Sequence, residues 1–474
     1  MTRFLGHLLR GALVTALVAN ATASSAEGPR RDQTPSSEPA TELGEVAIVD
    51  AAPPSDSLPK KRAVPDYDGR GERPATTAEK LLWIPRVLLA PLYLVNEYFV
   101  RRPIGAIVTA IERSKLAQRA IYVFTIGPKR NLGFSPSLYI DWGRKPAAGV
   151  YVWWDGVGSP HNFVRGYFAT WGEPLVLLTV ADRYELDATT AIAVRASYTH
   201  RTDNLFFGVG PDSTSRTESR FESTSFEGGP SFEHRLFAAR AGVRNVRWAD
   251  ATCCSAPSLH ALVRDGRLPS PPRLGDDGYT SIFQSASFFL DSRKTRGETG
   301  ARIAVSGSPA FDVSKRPGDS WVHYEASALG AWDVTGTSRT LALSAHAMFV
   351  DPLQGGAGGI PFTELVTLGG AGPMRGYLPG RLVGRSAAVA TLAYEWPVWS
   401  FLDGTIETSV GNVYDAGLEG FSADKLRLST VFGIRSNSSR DHVFELLSGF
   451  GTETFERGAK VTSFRLAVGA TRAF

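Results

Sequence analysis

Along most of the chain, apolar and polar residues alternate with a period of two. The last segment shows the pattern: Phe464, Leu466, Val468, Ala470 and Phe474 fall on one face, and Ser463, Arg465, Ala467, Gly469, Thr471 and Ala473 on the other. Arg472 breaks the rule near an end, where a long side chain can reach water. One apolar face and one small or polar face suit a strand between lipid and a wet lumen, and equally a strand of a soluble sandwich. The whole set is more informative than any one member. Sixteen such segments follow one another, from 133–142 to 461–474, and an even number suits a closed bacterial barrel. If the chain enters from the periplasm, its three longest connections, 202–217, 250–278 and 352–384, all join an odd strand to the next even one and lie on the outer side. The expected fold is all-β: a transmembrane antiparallel β-barrel of about 16 strands over 131–474, with a short N-terminal helical segment.

The period of two is missing before residue 131. Residues 1–26 carry Arg3 and Arg10, an apolar centre from Gly11 to Ala19 and small residues at Ser24 and Ala26, which reads as a secretory signal peptide cut after Ala26. Residues 27–75 are rich in Pro, Ser, Asp, Glu and Arg, too polar to offset the entropy of ordering, and are expected to form a disordered spacer. Residues 76–120 begin with a polar capping signal at Thr76, Thr77 and Glu79 and continue as an apolar run broken by Pro85, Pro91 and Pro103. The run approaches the length of a membrane-crossing helix. Arg86, Glu97 and the prolines favour short amphipathic helices lying on the membrane or against the rest of the protein.

Composition agrees with the strand pattern. Among 474 residues are 48 glycines, 26 phenylalanines, 14 tyrosines and 10 tryptophans, the usage of many short strands and turns with aromatic side chains. Trp153, Trp154, Trp396 and Trp399 stand near strand ends, as interfacial girdles require. A net charge of +4, with the basic residues dispersed among acidic ones, argues against nucleic acid as a partner. Cys253 and Cys254 are neighbours: they form either a vicinal disulfide or two loop thiols, and the second reading is taken.

The stretch LGGAGPMRGYLPG, Leu368 to Gly380, sets one arginine among five glycines. It resembles the Arg-Gly-Phe/Tyr motif in the sixth extracellular loop of the BamA/TamA (bacterial surface antigen) superfamily of outer-membrane barrels. NLFFGVGPDST, from Asn204, and FFLDSRKTRGETGARI resemble two further segments of that family, and the resemblance runs over roughly Asn131 to Phe474. It implies sixteen strands, with this loop between the eleventh and twelfth folding back into the lumen, where its arginine meets acidic residues of the wall. Gly369, Gly370, Gly372, Gly376 and Gly380 allow close backbone approach and positive φ. Arg375, with Gly376 and Tyr377, is the expected lock, and strand parity offers Glu395 and Glu407 as its carboxylate partners. The family's Asp-x-Gly on the thirteenth strand is Ser409-Val410-Gly411 in this chain, and its Glu-Tyr-Arg on the twelfth aligns with Ala393-Tyr394-Glu395. No stretch before residue 131 fits a POTRA domain.

The resemblance implies a cell-outer-membrane protein in contact with outer-membrane lipid, acting in insertion or translocation of polypeptides or other macromolecules. Phe474 resembles the terminal aromatic residue that the barrel assembly machinery reads when it inserts its clients. The alternative is a passive or gated pore, or a structural barrel without assembly activity. Catalysis is the weakest reading: Ser344 and His346 share a face of one strand, but no G-x-S-x-G and no spacing of metal ligands accompanies them. No cofactor and no metal are expected. Pro136 in the first strand and Gly469 in the last weaken pairing and are consistent with a loose seam.

Overall fold

The computed structural model describes residues 123–127, 129–293, 297–399, 402–436 and 442–472, together with Tyr98 and Arg102. The expected signal peptide, the spacer, nearly all of the helical segment and Phe474 lie outside the described residues. Where the alternation is read in the sequence, the chain is strand. The first eight are β1 Leu132–Asp141, β2 Ala147–Asp155, β3 Asn162–Thr170, β4 Leu175–Glu185, β5 Thr190–Phe206, β6 Ser219–His234, β7 Phe237–Asp250 and β8 Gly278–Asp291. The second eight are β9 Gly300–Asp312, β10 Ser320–Asp333, β11 Thr340–Gln354, β12 Ser386–Trp399, β13 Leu402–Tyr414, β14 Arg427–Ser436, β15 His442–Thr452 and β16 Val461–Arg472. Each pairs antiparallel with its neighbours in sequence, and β16 returns to β1, so the sheet closes into a barrel.

Both faces of the sheet follow the sequence parity. Val194 on β5, Val243 on β7, Ile303 on β9, Leu343 on β11, Leu392 on β12 and Phe464 on β16 are exposed and point outward. Together they form an apolar belt that a water-soluble protein would have to cover. Trp154 is exposed beside it, whereas Trp153 faces inward and stacks on Tyr151 with ring centroids 5.9 Å apart, so only one of that pair can serve an outer girdle. Trp396 stacks on Tyr394, and the side chain of Trp399 lies outside the described residues.

The connections divide the barrel into two ends. The long ones, 207–218, 251–277 and 355–385, all stand at one end, and turns as short as 235–236 stand at the other. β5 runs five residues beyond its expected end because the ladder to β6 resumes after an irregularity between Arg201 and Asn204. In the 251–277 connection a short helix, α1 Leu259–Arg264, is capped by Ser258, whose hydroxyl accepts the Ala261 amide at 3.1 Å. Nearby, Cys253 and Cys254 are joined as a vicinal disulfide, correcting the reading of two loop thiols; adjacency brings their Cα atoms to 3.8 Å.

The third long connection does not stay outside. Residues 355–385 turn into the barrel, where a two-stranded ribbon, Val366–Leu368 with Leu382–Gly384, carries a compact tip. Ile360, Phe362, Leu365, Leu368, Met374, Tyr377 and Leu382 of this loop are buried against wall residues including Trp248, Tyr279, Trp321 and Val350. Phe362 sits among Phe206, Phe221 and Trp248, all edge-on with centroids 5.1 to 5.7 Å away. At roughly 1.5–3 kcal/mol for each large apolar side chain buried, this cluster is a second core inside the lumen.

Candidate functional site

The tip reaches the wall at four strands, β13 to β16, near the closure of the sheet. Gly376 lies so near β15 that a Cβ there would run into the Phe450 carbonyl, and its amide donates to Ser429 Oγ on β14 at 2.8 Å. Tyr377 is fully buried; its hydroxyl lies 3.0 Å from the Leu428 carbonyl and 2.5 Å from that of Thr452, and accepts the Thr452 amide at 2.7 Å. Of the glycines expected to take positive φ, Gly369, Gly370 and Gly380 do so at 101°, 68° and 81°. Gly372 and Gly376 do not, and the left-handed residue between them is Met374, at 64°.

Arg375 is buried between two carboxylates. Its Nη2 donates to Glu445 Oε2 on β15 at 2.6 Å, and Nη1 lies 3.6 Å from Glu407 Oε1 on β13. Glu445 is the nearer partner and was not among the residues expected from sequence. Glu395 stands in register with Thr340 and Thr405, two steps along β12 from Ala393, the residue that pairs with Glu407. Ser409, where the family pattern has aspartate, is within 2.8 Å of Thr391 Oγ1.

A second cation sits behind the first. Arg465, on the inward face of β16, donates Nε to Asp141 Oδ1 on β1 at 2.9 Å and Nη2 to the Tyr139 hydroxyl at 3.0 Å. Its Nη1 donates to the carbonyls of Gly370 and Arg375 at 2.5 and 3.2 Å. One guanidinium thus touches the last strand's partner and the loop tip. Among the described residues the strands it joins pair at Ala467 with Asp141, Val468 with Ile140 and Gly469 with Tyr139, and the Trp142 amide donates to the Leu466 carbonyl at 2.9 Å. Gly469, at φ 141°, comes so close to the Leu138 carbonyl that a Cβ would overlap it.

Two further anchors hold the ends of the loop. At its base Glu364 accepts both oxygens' bonds from Arg244 on β7 at 2.9 Å each, with the hydroxyl of Tyr279, the indole of Trp321 at 3.4 Å and His323 Nε2 at 3.0 Å around it. Burial would raise this carboxyl's pKa, but the Arg244 charge, with His323 and the Tyr279 hydroxyl, holds it well below the usual carboxylate range. Past the tip, Arg381 donates to Glu453 Oε1 at 3.2 Å and to the Ser213 carbonyl, and Arg427 of β14 meets Glu453 Oε2 at 2.9 Å and Ser213 at 2.7 Å. Burial, with Arg427 beside it, pushes Arg381 down to about 10 against the pull of Glu453. Ser213 belongs to the NLFFGVGPDST segment, and Gly210 of the same segment donates to the Val383 carbonyl at 2.8 Å. Two stretches singled out in the sequence are therefore in contact.

Among the described residues no group of His, Cys, Asp and Glu is arranged to hold a metal, and no helix is long and apolar enough to cross a membrane, which says nothing of crossing by strands. Ser344 and His346 occupy alternate inward positions of β11. The site's chemistry is that of ion pairs and backbone hydrogen bonds fixing a loop.

No protein family model matches the chain, and no curated protein matches it. Solved structures with a similar barrel include BamA from Haemophilus ducreyi lacking POTRA domains 1–3, at 10% identity and a TM-score of 0.47, over 72% of this chain and 70% of that one. CdiB from Escherichia coli is similar at 12% identity and 0.47, over 73% of this chain and 64% of that one. Wzi of Escherichia coli, described as a carbohydrate-binding barrel involved in capsule assembly, is similar at 9% identity and 0.31, over 85% and 90%. The chain spans less than two thirds of CdiB from either Escherichia coli or Acinetobacter baumannii. Likeness at this level says nothing of activity.

Proposed function

We propose that the protein is an outer-membrane barrel that acts without catalysis on polypeptide chains, inserting them into the membrane or passing them across it at the seam between β1 and β16. In this reading the long loops face outward, the re-entrant loop is both plug and brace, and the terminal Phe474 directs the chain's own insertion by the barrel assembly machinery. The apolar belt supports the membrane setting. The observation that carries the functional reading is the position of Arg465, which bonds to the loop tip and to Asp141 across a ladder that has three pairs among the described residues. A short seam is the place where a foreign strand displaces fewest hydrogen bonds.

A gated pore is the second reading. It is favoured by the polar inner wall away from the loop, where Arg165 pairs with Asp155 at 2.7 Å and Arg183 with Glu233 at 3.2 Å. Planar-bilayer recording with and without Arg375→Ala separates the two. The plugged barrel is expected to be nearly silent and the variant to conduct; large steady conductance in the unmutated protein sinks the plug. Crosslinking from β1 and β16 in cells is expected to capture polypeptides, and capture of none favours the pore.

A further inference from the structure

Two prolines interrupt the ladders of the outer wall. Between β6 and β7, Gly228 pairs with Val243 and the next pair is Ser231 with Arg240, so the step that holds Pro230 is skipped. Between β8 and β9, Gly307 pairs with Ala286 and the next pair is Ala310 with Phe283, so the step that holds Pro309 is skipped. Proline has no amide to give to a ladder. Pro230 stands opposite Val194 and Gly307 opposite Tyr324, both exposed on the outer wall, so these positions face outward. Around the two gaps the outward residues are small, among them Ala241, Ala286 and Gly307, and the wall is hollowed into a groove of about 1050 Å³.

One end of the groove carries a charge. Asp182 of β4 lines it and is exposed on the same outward face, between Val164 of β3 and Val194 of β5. It lies about 10 Å along the strand from Glu185, where β4 ends at the short-turn side of the barrel. Tyr184, one outward step nearer that end, packs on His161 with ring centroids 6.4 Å apart, an aromatic residue at the height of lipid headgroups. Among the described residues no basic side chain pairs with Asp182. A carboxylate that faces lipid is costly without a cation, and the wall beside this one offers valines.

We propose that the groove holds a phospholipid whose headgroup ends in an ammonium, with that ammonium against the Asp182 carboxylate and an acyl chain laid along Pro230, Ala241, Ala286 and Gly307. Charge complementarity selects the headgroup. An amine lipid brings the cation that the wall lacks, whereas an anionic lipid without an amine brings repulsion. The direction of the groove selects the leaflet. Asp182 is near the short-turn end, and Gly307 lies farther from that end, about 23 Å along β9 from Gly300. A lipid of the leaflet on the short-turn side therefore has its head at Asp182 and its tail toward the middle of the apolar belt. Small side chains let that tail sink below its neighbours and touch the wall along its length. The inference rests on the membrane setting and not on what the barrel does there, since a pore would present the same outer face.

The test is native mass spectrometry of the full-length protein in detergent micelles, with phosphatidylethanolamine and phosphatidylglycerol added in equal amounts. The unmutated barrel is expected to retain the ethanolamine lipid in preference to the glycerol lipid. Asp182→Asn is expected to lower that retention roughly fivefold, as for one partly wet ion pair, and to remove the preference. At Gly307 an added Cβ meets nothing within 4 Å, so Gly307→Phe fills the groove without moving the wall and is expected to lower retention of both lipids. Gly330→Phe, equally open on the outward face of β10 but outside the groove, is expected to change neither. If Gly307→Phe fails to give the folded, heat-modifiable barrel, Ala286→Phe takes its place. Equal retention of the two lipids by the unmutated protein, or retention unchanged in Asp182→Asn, overturns the proposal. So does a dimer that Gly307→Phe dissociates, since the groove would then belong to a second copy of the chain.

Discussion

Arg465 of the last strand and Asp141 of the first are joined through Nε and Oδ1 at 2.9 Å although 324 residues separate them. Both side chains are almost wholly buried, at 3% and 4% exposure. Removing one member of such a pair leaves the other charge buried alone, at a cost of about 3–5 kcal/mol. Arg465→Ala and Asp141→Asn are each expected to lower the temperature at which the barrel loses its compact mobility on unheated gels, and the double variant to lose less than the sum. Additive losses would mean that the two act separately.

The two partners of Arg375 should differ in weight. Glu445 is at hydrogen-bond distance and Glu407 1 Å farther, from 3.6 against 2.6 Å. Glu445→Gln is expected to free the loop tip to added protease, whereas Glu407→Gln has a lesser effect, of the order of 1 kcal/mol or below as for looser ion pairs. Glu395→Gln is expected to leave the tip protected. Equal sensitivity in all three would remove Glu445 from its place as the main partner.

Gly376→Ala tests contact without charge. The added methyl meets the Phe450 carbonyl and Ser429 Oγ, and overpacking of this kind costs about 1–3 kcal/mol. The variant is expected to unfold at lower denaturant concentration with its strand content intact before unfolding, measured by circular dichroism. An unchanged midpoint would show that the tip does not sit against β15.

Acid should release the loop from its base late. The Glu364 carboxyl, buried but facing Arg244, His323 and the Tyr279 hydroxyl, is depressed in the folded state. Its contribution to stability is therefore complete above the ordinary glutamate pKa of about 4.3 and falls away as pH drops from there through the depressed folded value. Tryptophan fluorescence, with Trp321 and Trp248 beside the loop, is expected to be steady from neutral pH down to that point and to change below it. A transition centred near pH 6 would contradict the assignment.

The strands were legible because alternation is a local property: each segment states its own parity, and closure follows from their number. Arg375 was legible for the same reason, as a cation with no local use in a glycine-rich stretch. Its nearest partner was not. Glu445 in HVFELLSGFGT has the parity of the lumen, as do Glu395 and Glu407, and parity cannot say which carboxylates lie at one height around a tilted wall. Glu364 carried even less signal, because its partners Arg244, Tyr279 and His323 are 120, 85 and 41 residues away on three strands. The disulfide was equally hidden, since adjacency of Cys253 and Cys254 permits either state.

The bonds of Arg465 impose an order on biogenesis. Its guanidinium finds its full set of acceptors only when β1, the loop tip and β16 have all arrived. Sealing the wall and seating the loop are thus one cooperative step.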